Sequence, residues 1–150
     1  MFNENDALKE AVYYSTLSNC GSKRGVVIFH RKYGVMCGGF NHLPWPLKCD
    51  GTPACRSVCA KTALHAEQDA LLNWIQNVEA FPTVNIFDCE MLHVKSVDGK
   101  AVHSLQPSCW QCSKLILGSG LKAMWLYQAE GLVSYTAKDF HELTLKNNKL

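Results

Sequence analysis

Two short motifs, far apart in the chain, constrain the fold more than any other feature of the sequence. The first is His-x-Glu at residues 65–67, in which an imidazole stands two residues before a carboxylate. The second is Cys-x-x-Cys at residues 109–112, which places two thiols three positions apart. Each motif opens an apolar helical pattern, and imidazoles and thiolates are common metal ligands. Together the two motifs therefore predict one metal site formed by His65, Cys109 and Cys112.

The residue types at these positions predict a catalytic zinc site. Catalytic zinc takes three protein ligands and keeps a fourth position open, and one histidine with two cysteines is a known ligand set. The amide dipoles at a helix N-terminus also favour ionised thiols. Glu67 is then a free carboxylate that could carry the proton of a nearby water molecule. For each motif alone other interpretations stay open, because Cys-x-x-Cys can be a redox pair or half of a structural site, and His-x-Glu can be a solvated helix turn.

The combination of His-x-Glu with a later proline and Cys-x-x-Cys resembles the signature of the zinc-dependent cytidine and deoxycytidylate deaminase superfamily. In this chain Ser108 stands between Pro107 and Cys109, so the proline lies one place earlier than in the family pattern. The resemblance covers about residues 26–127 and is closest to the deoxycytidylate (dCMP) deaminase group. It implies one catalytic zinc ion, a small nucleotide substrate, and Glu67 as the catalytic residue that moves protons.

The order of predicted elements is helix, hairpin, helix, strand, helix, strand, helix. This alternation matches the α/β fold of the superfamily, a three-layer α/β/α sandwich with a mixed sheet of about five strands. The hairpin spans residues 25–40, and Asp98-Gly99 predicts a second hairpin turn. The helix that carries His65 is expected to begin at Thr62, and Pro82 to end that region. A length of 150 residues fits a single deaminase domain over residues 1–150.

Composition limits the kinds of partner. Fifteen basic and 13 acidic residues give a net charge of +2, whereas proteins that bind nucleic-acid backbones are usually more basic, so such a partner is disfavoured but stays open. No apolar run approaches the length of a membrane span, and residues 1–6 are polar and acidic, unlike an export signal. We therefore expect a cytoplasmic protein without membrane association. Its eight cysteines are then reduced, and serve as ligands or as small core side chains.

Four of these cysteines predict a second metal site. Cys49, Cys55 and Cys59 lie between the first hairpin and the His-x-Glu motif, and Cys20 lies in the turn before the first strand. This spacing is unusual for a reduced protein unless something binds there. Some phage-type dCMP deaminases are similar in using cysteines from these two regions for a structural zinc ion, so the resemblance implies one here. Unliganded loop cysteines remain the alternative.

The resemblance also implies substrate contacts. Asn41 follows a Gly-aromatic pair, as in nucleotide deaminases whose corresponding asparagine binds the sugar; alternatively it is a turn residue that caps its own backbone. The peptide at Ala66 and the carbonyl near Ser108 are expected to orient the amide edge of the base. Four cations are candidate phosphate ligands, although each could equally be a solvated surface residue: Lys23, Arg24, Arg56 and Lys61.

The resulting hypothesis is hydrolytic deamination of a cytosine nucleotide, dCMP to dUMP plus ammonia. A nucleotide is favoured over a nucleoside by the histidine ligand and by the long cysteine-bearing loop after Asn41. One alternative is a deaminase acting on another base substrate, such as a nucleic-acid base, a free nucleoside or a free base. Another is a non-catalytic, zinc-stabilised binding protein.

The family further implies a homo-oligomer, either a dimer or a hexamer. His93 and His103 are interpreted as ordinary strand histidines rather than as metal ligands.

Overall fold

A computed structural model of the chain describes residues 1–80, 83–105 and 107–150. The helices are α1 (Glu4–Thr16), α2 (Pro53–Thr62), α3 (Ala66–Asn77), α4 (Trp110–Ser119) and α5 (Ala137–Asn147). The strands are β1 (Lys23–His30), β2 (Gly34–Phe40), β3 (Glu90–Val97), β4 (Lys100–Val102), β5 (Ala123–Gln128) and β6 (Gly131–Thr136). No helix among the described residues is both long and apolar enough to cross a bilayer.

The strands form one mixed, open sheet. Their order is β2-β1-β3-β5-β6, and the short β4 pairs with the far end of β3. β3 and β5 run parallel, whereas every other pairing is antiparallel. Helices cover both faces, so the expected α/β sandwich with a mixed sheet is confirmed. The central strand is β3, which carries side chains to both layers.

Alternation along β3 assigns its side chains to two separate cores. Leu92 and Val94 pack on one face against α1, in a cluster with Ala7 and Ala11. Met91 packs on the opposite face, in a larger cluster with residues of α3, α4 and α5. Because successive side chains of a strand point to opposite faces, the odd-numbered residues 91, 93 and 95 share the face that α3 and α4 cover.

β1 and β2 each approach a helix closely at a glycine. At Gly39, an added Cβ atom would lie 2.7 Å from the carbonyl oxygen of Ala66 and 3.0 Å from the Cα atom of Ala70, both in α3. At Gly25, an added Cβ atom would overlap the backbone of Ala11 in α1. Native packing leaves no room for a larger residue at such contacts. Glycine at these two positions therefore lets helices pack tightly on opposite faces of the sheet.

Some element boundaries differ from the sequence-based expectations. Thr62 does not begin the helix that carries the His-x-Glu motif, since it is the last residue of α2, a helix that was expected to be loop. Thr52 caps α2 and Pro53 occupies its first turn, which are ordinary helix-start residues. Ala63 and His65 are extended and separate α2 from α3. Pro82, expected to end that region, lies outside the described residues.

The predicted hairpin turns are present. Gly34 opens β2 with a φ of +82°, and Asp98 and Gly99 link β3 to β4 with φ values of 52° and 74°. Positive φ at both central residues is the geometry that Asp-Gly sequences favour in two-residue hairpins. Residues 86–88 form a short 3₁₀ turn before β3.

Glu90 at the start of β3 joins several elements through hydrogen bonds. Arg31 donates from Nε to Glu90 Oε2 (2.6 Å) and from Nη2 to Oε1 (3.0 Å), and Trp125 Nε1 donates to Oε1 (2.9 Å). Arg31 Nη1 also donates to Glu4 of α1 (2.8 Å). Burial raises the pKa of Glu90, but the hydrogen bonds from Arg31 and Trp125 outweigh burial and hold the pKa below its ordinary value.

This lowered pKa gives a testable pH dependence. A carboxylate whose pKa is lowered by folding stabilises the protein above its unfolded-state pKa, and the stabilisation is lost as pH falls through the folded-state value. Glu90→Gln should therefore lower the free energy of unfolding at pH 7 by about 1–3 kcal/mol and make its decline between pH 5 and pH 3 shallower. Urea unfolding across this pH range measures both effects. Glu79→Gln, at an exposed position, is the control, and a variant at position 90 that behaves like it would contradict the prediction.

Gly39→Ala tests the contact between β2 and α3. The added methyl group must displace the backbone of α3, so we expect the free energy of unfolding to fall by about 1–3 kcal/mol. Gly118→Ala is a matched control, because Gly118 lies within α4 and has open space around an added Cβ atom. The control should be at least as stable as the wild type, since alanine favours helix. Equal stability of Gly39→Ala and wild type in urea unfolding would disprove the close contact.

Candidate metal centre and its cavity

His65 is the cap residue of α3, and the helix start fixes its position. Its backbone N–H donates to Gln68 Oε1 (2.9 Å), and its carbonyl accepts from the N–H of Asp69 (2.9 Å). The preceding residue, Leu64, pairs with His42 in an antiparallel bridge. The backbone of His65 is extended, with φ −72° and ψ 155°. These contacts hold the imidazole at the N-terminal end of α3, where α4 also begins.

Cys109 caps α4 in the same way. Its Sγ accepts a hydrogen bond from the N–H of Cys112 (3.4 Å), and its carbonyl accepts from the N–H of Ser113 (3.0 Å). The Ser113 hydroxyl is 2.8 Å from Nδ1 of His141 in α5. A cysteine with its Sγ at the cap position lies among the free N–H groups of the first turn, which favour a negative charge there. The first turn of α4 therefore presents both sulfur atoms at one end of the helix.

The three predicted ligands lie together. Their donor atoms are all within 4.8 Å of one another, and Nδ1 of His65 is 3.2 Å from Sγ of Cys112. A tetrahedral zinc ion, with bonds of about 2.3 Å to sulfur and about 2.0 Å to nitrogen, keeps neighbouring ligand atoms about 3.5 Å apart. The spread of this group fits that geometry. One nitrogen and two sulfur donors also leave a fourth position free for a small molecule.

Hydrogen bonds within the group shift its proton affinities. The contact between the two thiols lowers the pKa of Cys109 and raises the pKa of Cys112. The hydrogen bond with Cys109 raises the pKa of His65. The three side chains thus share protons, and a metal ion must displace those protons to bind. Such a site binds metal more tightly as pH rises.

Glu67 lies beside this group and is buried, with 9% of its surface exposed. Burial raises the pKa of the carboxyl, but the neighbouring imidazoles of His93 and His65 outweigh burial and leave the pKa below its ordinary value. Oε1 of Glu67 is 3.6 Å from Nε2 of His93 on β3. Burial also lowers the pKa of His93. The site therefore places a carboxyl with a lowered pKa, which favours the ionised form, next to the metal donors.

A cavity of about 630 Å³ opens onto this group. Glu67, His65 and Cys109 line its wall, and the volume is within the range of small-molecule sites. Of the four cations named from the sequence, Arg24 and Arg56 also line it. The other two, Lys23 and Lys61, do not, and Nζ of Lys23 instead donates to the carbonyl of Ser18.

Asn41 lines the cavity, and its side chain is bonded to the start of β1. Its Oδ1 accepts from the N–H of Arg24 (2.9 Å), and its Nδ2 donates to the carbonyl of Ser22 (2.5 Å). An amide NH₂ has two hydrogens, so one donor of Asn41 is left for a ligand. Asn41 therefore secures the backbone of the neighbouring strand rather than its own turn, and keeps one polar group at the cavity.

Ala66 and Ser108 occupy different positions relative to the cavity. Ala66 is the first residue of α3, so its N–H has no partner within the helix, but its side chain is buried and does not line the cavity wall. Ser108 does line the wall. Its carbonyl accepts a hydrogen bond from Nδ2 of Asn148 (2.9 Å), and the carbonyl of Pro107 accepts one from Nδ2 of Asn147 (3.1 Å). The end of α5 thus holds the backbone that leads into Cys109.

Three of the four extra cysteines form a second group of possible metal donors. The Sγ atoms of Cys49, Cys55 and Cys59 lie within 4.8 Å of one another. Cys55 and Cys59 are four residues apart on α2 and share one face of the helix. A hydrogen bond from the N–H of Gly51 lowers the pKa of Cys49. Cys20 is not in this group, and its Sγ lies 3.7 Å from the carbonyl of Asn41.

Asp69 connects α3 to the end of β2. Its Oδ2 accepts from the N–H of Phe40 (3.1 Å), and its Oδ1 is 2.8 Å from Nε2 of His42. Both His42 and Asp69 are buried, with 6% of each exposed. Because Asn41 lies between Phe40 and His42, these bonds set the distance between Asn41 and the helix that carries Glu67.

Four residues near the metal group were not assigned a site role from the sequence. His93, Lys95, His103 and Ser104 all line the cavity. Alternation along β3 could have found His93 and Lys95, because residues two apart on a strand face the same side. The other two follow β4, and their position depends on how far the hairpin extends, which the sequence pattern does not specify.

No protein-family model and no curated protein matches the chain. Solved structures do match its fold. The apo form of dCMP deaminase from cyanophage S-TIM5 is 25% identical, covering 80% of this chain and 78% of that one, with a TM-score of 0.55. The same enzyme in complex with dCMP and dUMP matches with a TM-score of 0.59 at 24% identity, over 81% and 77% of the two chains.

A cytidine deaminase also matches. The enzyme from Burkholderia pseudomallei has a TM-score of 0.63 at 12% identity, covering 93% of this chain and 96% of that one. Both groups of neighbours are deaminases that share one fold. The chain thus shares the fold of the cytidine and deoxycytidylate deaminase superfamily, and it brings His65, Cys109 and Cys112 together as possible metal donors.

Proposed function

We propose that this protein is a zinc-dependent deaminase that hydrolyses a cytosine nucleotide, with dCMP as substrate and dUMP and ammonia as products. The observation that carries the proposal is the buried carboxyl of Glu67 beside the His65, Cys109 and Cys112 donors, in surroundings that lower its pKa. A structural site closed by four ligands has no need of such a carboxylate. Likeness to the dCMP deaminase of cyanophage S-TIM5 supports dCMP in particular.

The donor set would supply the electrophilic part of the reaction. His65, Cys109 and Cys112 would hold a zinc ion, which would supply Lewis-acid chemistry that activates water at neutral pH. The remaining work falls to Glu67, which takes a proton from the attacking water and delivers it to N3 of the base as C4 is attacked. Glu67 then passes the second proton of that water to the departing amine. The net change is cytosine nucleotide plus water to uracil nucleotide plus ammonia, with the carboxylate regenerated.

The other predicted contacts orient the substrate in this scheme. The remaining Nδ2 hydrogen of Asn41 is available to the sugar. The free N–H of Ala66 and the second lone pair of the Ser108 carbonyl would bind the amide edge of the base. His93 keeps the Glu67 carboxylate in place through the contact at 3.6 Å. Together these groups would place C4 of the base at the metal donors.

Glu67→Gln tests the catalytic role. We expect about a 10²–10⁴-fold loss of turnover, because the amide cannot accept or deliver a proton. Zinc content and thermal stability should be unchanged, since Glu67 is not a ligand. The measurement is ammonia release from dCMP, CMP, deoxycytidine, cytosine and a short single-stranded oligonucleotide, with metal analysis of each preparation. Glu79→Gln serves as the control and should retain full activity.

The outcomes separate the alternatives. Turnover of dCMP that disappears in Glu67→Gln supports the proposal. Turnover of the oligonucleotide or the free nucleoside without dCMP would assign the protein to another substrate class. A fully zinc-loaded protein that is inactive on every cytosine compound would disprove the proposed reaction.

We also propose a second, structural zinc site on α2 and the loop before it. Cys49, Cys55 and Cys59 supply three donors within 4.8 Å of one another. Cys20 is the proposed fourth ligand, because it lines one cavity with Cys59 and a second, smaller one with Cys49. A closed four-cysteine site would stabilise a short helix that has little other buried apolar surface. On α2, Cys59 is the buried residue.

Metal analysis of cysteine variants tests this second site. The wild type should bind two zinc ions per chain, and Cys55→Ser should bind one. Cys109→Ser should also bind one, but with loss of activity, whereas Cys55→Ser should keep activity at temperatures where it remains folded. Cys20→Ser decides the fourth ligand, since it should lose the same ion as Cys55→Ser. One zinc ion per wild-type chain would contradict the second site.

Self-association remains part of the proposal. Apolar side chains are exposed on α3 and α4, including Leu72, Ile75 and Leu115. Contiguous exposed apolar surface is typical of protein interfaces.

A further inference from the structure

Lys95 lies on the part of β3 that extends beyond the metal group. The strand continues from His93 to Val97 before it turns at residues 98–99 into β4. Lys95 is partly buried and lines the same cavity as His93 and Glu67. Residues two apart on a strand are separated by about 7 Å and share one face. Lys95 is therefore one step along the cavity wall from the histidine that contacts Glu67.

Arg24 on β1 lies directly opposite Lys95. The two residues are Cα partners in the antiparallel pairing of β1 and β3, and both line the cavity. Like charges directly opposite each other on a sheet destabilise it. Within residues 1–80, 83–105 and 107–150, neither cation forms a salt bridge. The arrangement leaves two positive charges side by side at the cavity, neither of them in an ion pair within the described part of the chain.

Two serine hydroxyls at the same cavity also lack partners. Among the described residues, the Oγ atoms of Ser22 and Ser104 are buried and have no hydrogen-bond partner, and both residues line the cavity. Ser22 is two residues before Arg24, and the N–H of Ser104 donates to the carbonyl of Tyr127 (2.6 Å). A serine hydroxyl can rotate to donate to a ligand, and a buried hydroxyl without a partner is unfavourable. A bound acceptor would satisfy both hydroxyls.

We propose that Lys95 and Arg24, with the hydroxyls of Ser22 and Ser104, form the site for the phosphate group of a nucleoside monophosphate. This inference rests on the proposed function and extends it to the residues that distinguish a nucleotide from a nucleoside. A phosphate dianion would neutralise the two opposed cations and accept hydrogen bonds from both serines. The base of the same molecule would lie at Glu67. Glu67 contacts His93, which is two residues before Lys95 on β3. Lys95 is a specificity residue, supplied by the extension of β3 into the hairpin.

Lys95→Met tests the assignment, because it removes the charge and keeps a long side chain. We expect KM for dCMP to rise about tenfold or more, with kcat changed much less, since phosphate binding contributes to the ground state and transition state alike. KM for deoxycytidine should stay the same. Lys100→Met, which removes an exposed cation from β4 outside the cavity wall, is the matched control and should leave KM for dCMP unchanged. The melting temperature of Lys95→Met should not fall, because a repulsive pair is removed.

A Lys95→Met enzyme with wild-type KM for dCMP would overturn the inference while the deaminase proposal stands. An equal loss on dCMP and deoxycytidine would overturn it too, since that pattern indicates a general disturbance of the site. Preference of the wild type for an oligonucleotide over dCMP would show that the phosphate belongs to a nucleic-acid backbone, which also contradicts a monophosphate site.

Phosphate binding tests the site independently of turnover. If zinc-loaded wild type deaminates no cytosine compound, the proposed function fails, and calorimetric titration with inorganic phosphate then decides the inference alone. The site is supported if the wild type and Lys100→Met bind phosphate equally well and Lys95→Met binds it about tenfold more weakly. Absence of phosphate binding by the wild type, or equal binding by the two variants, overturns it.

Discussion

The tight contact between α3 and β2 sets the position of nearly every group at the cavity. Gly39 lets the backbone of the helix approach the strand, and Asp69 then binds the N–H of Phe40 and the imidazole of His42. Buried polar groups that are fully paired in this way fix one arrangement, because any shift would leave them unsatisfied. Glu67 is two residues before Asp69 on the same helix. The contact that secures the strand end therefore also positions the proposed catalytic carboxylate.

The metal donors come from two helix starts that pack against the same face of the sheet. Capping places the donors there, since a cap residue leaves the helix axis and lies among free N–H groups. His65 serves this role in α3 and Cys109 in α4. The partial positive charge at these helix ends favours the anionic forms of Cys109 and Glu67. His65 and Cys109 thus serve both as the cap residues of their helices and as donors of the proposed metal site.

The sequence was sufficient to predict the mixed sheet, the two hairpins and the meeting of His65, Cys109 and Cys112. The hairpins follow from turn residues and apolar periodicity. The mixed sheet and the meeting of the three donors drew also on the family resemblance that the two motifs carry. The sequence was insufficient to predict α2. Thr52 and Pro53 were available as helix-start signals, but the scattered cysteines favoured a loop. It also missed Lys95, whose position depends on the pairing of β3 with β1. Register across distant strands is a tertiary property that no local pattern encodes.

The bonds from the end of α5 to the segment before Cys109 have a consequence for the order in which the protein assembles. Asn147 and Asn148 hold the carbonyls of Pro107 and Ser108. A growing chain folds progressively from its N-terminal side as it leaves the ribosome. The sheet core and the His65 region can form early, but the backbone leading into Cys109 gains its last two hydrogen bonds only after residue 148 has been synthesised. The donor group is therefore among the final parts of the nascent protein to take its mature geometry.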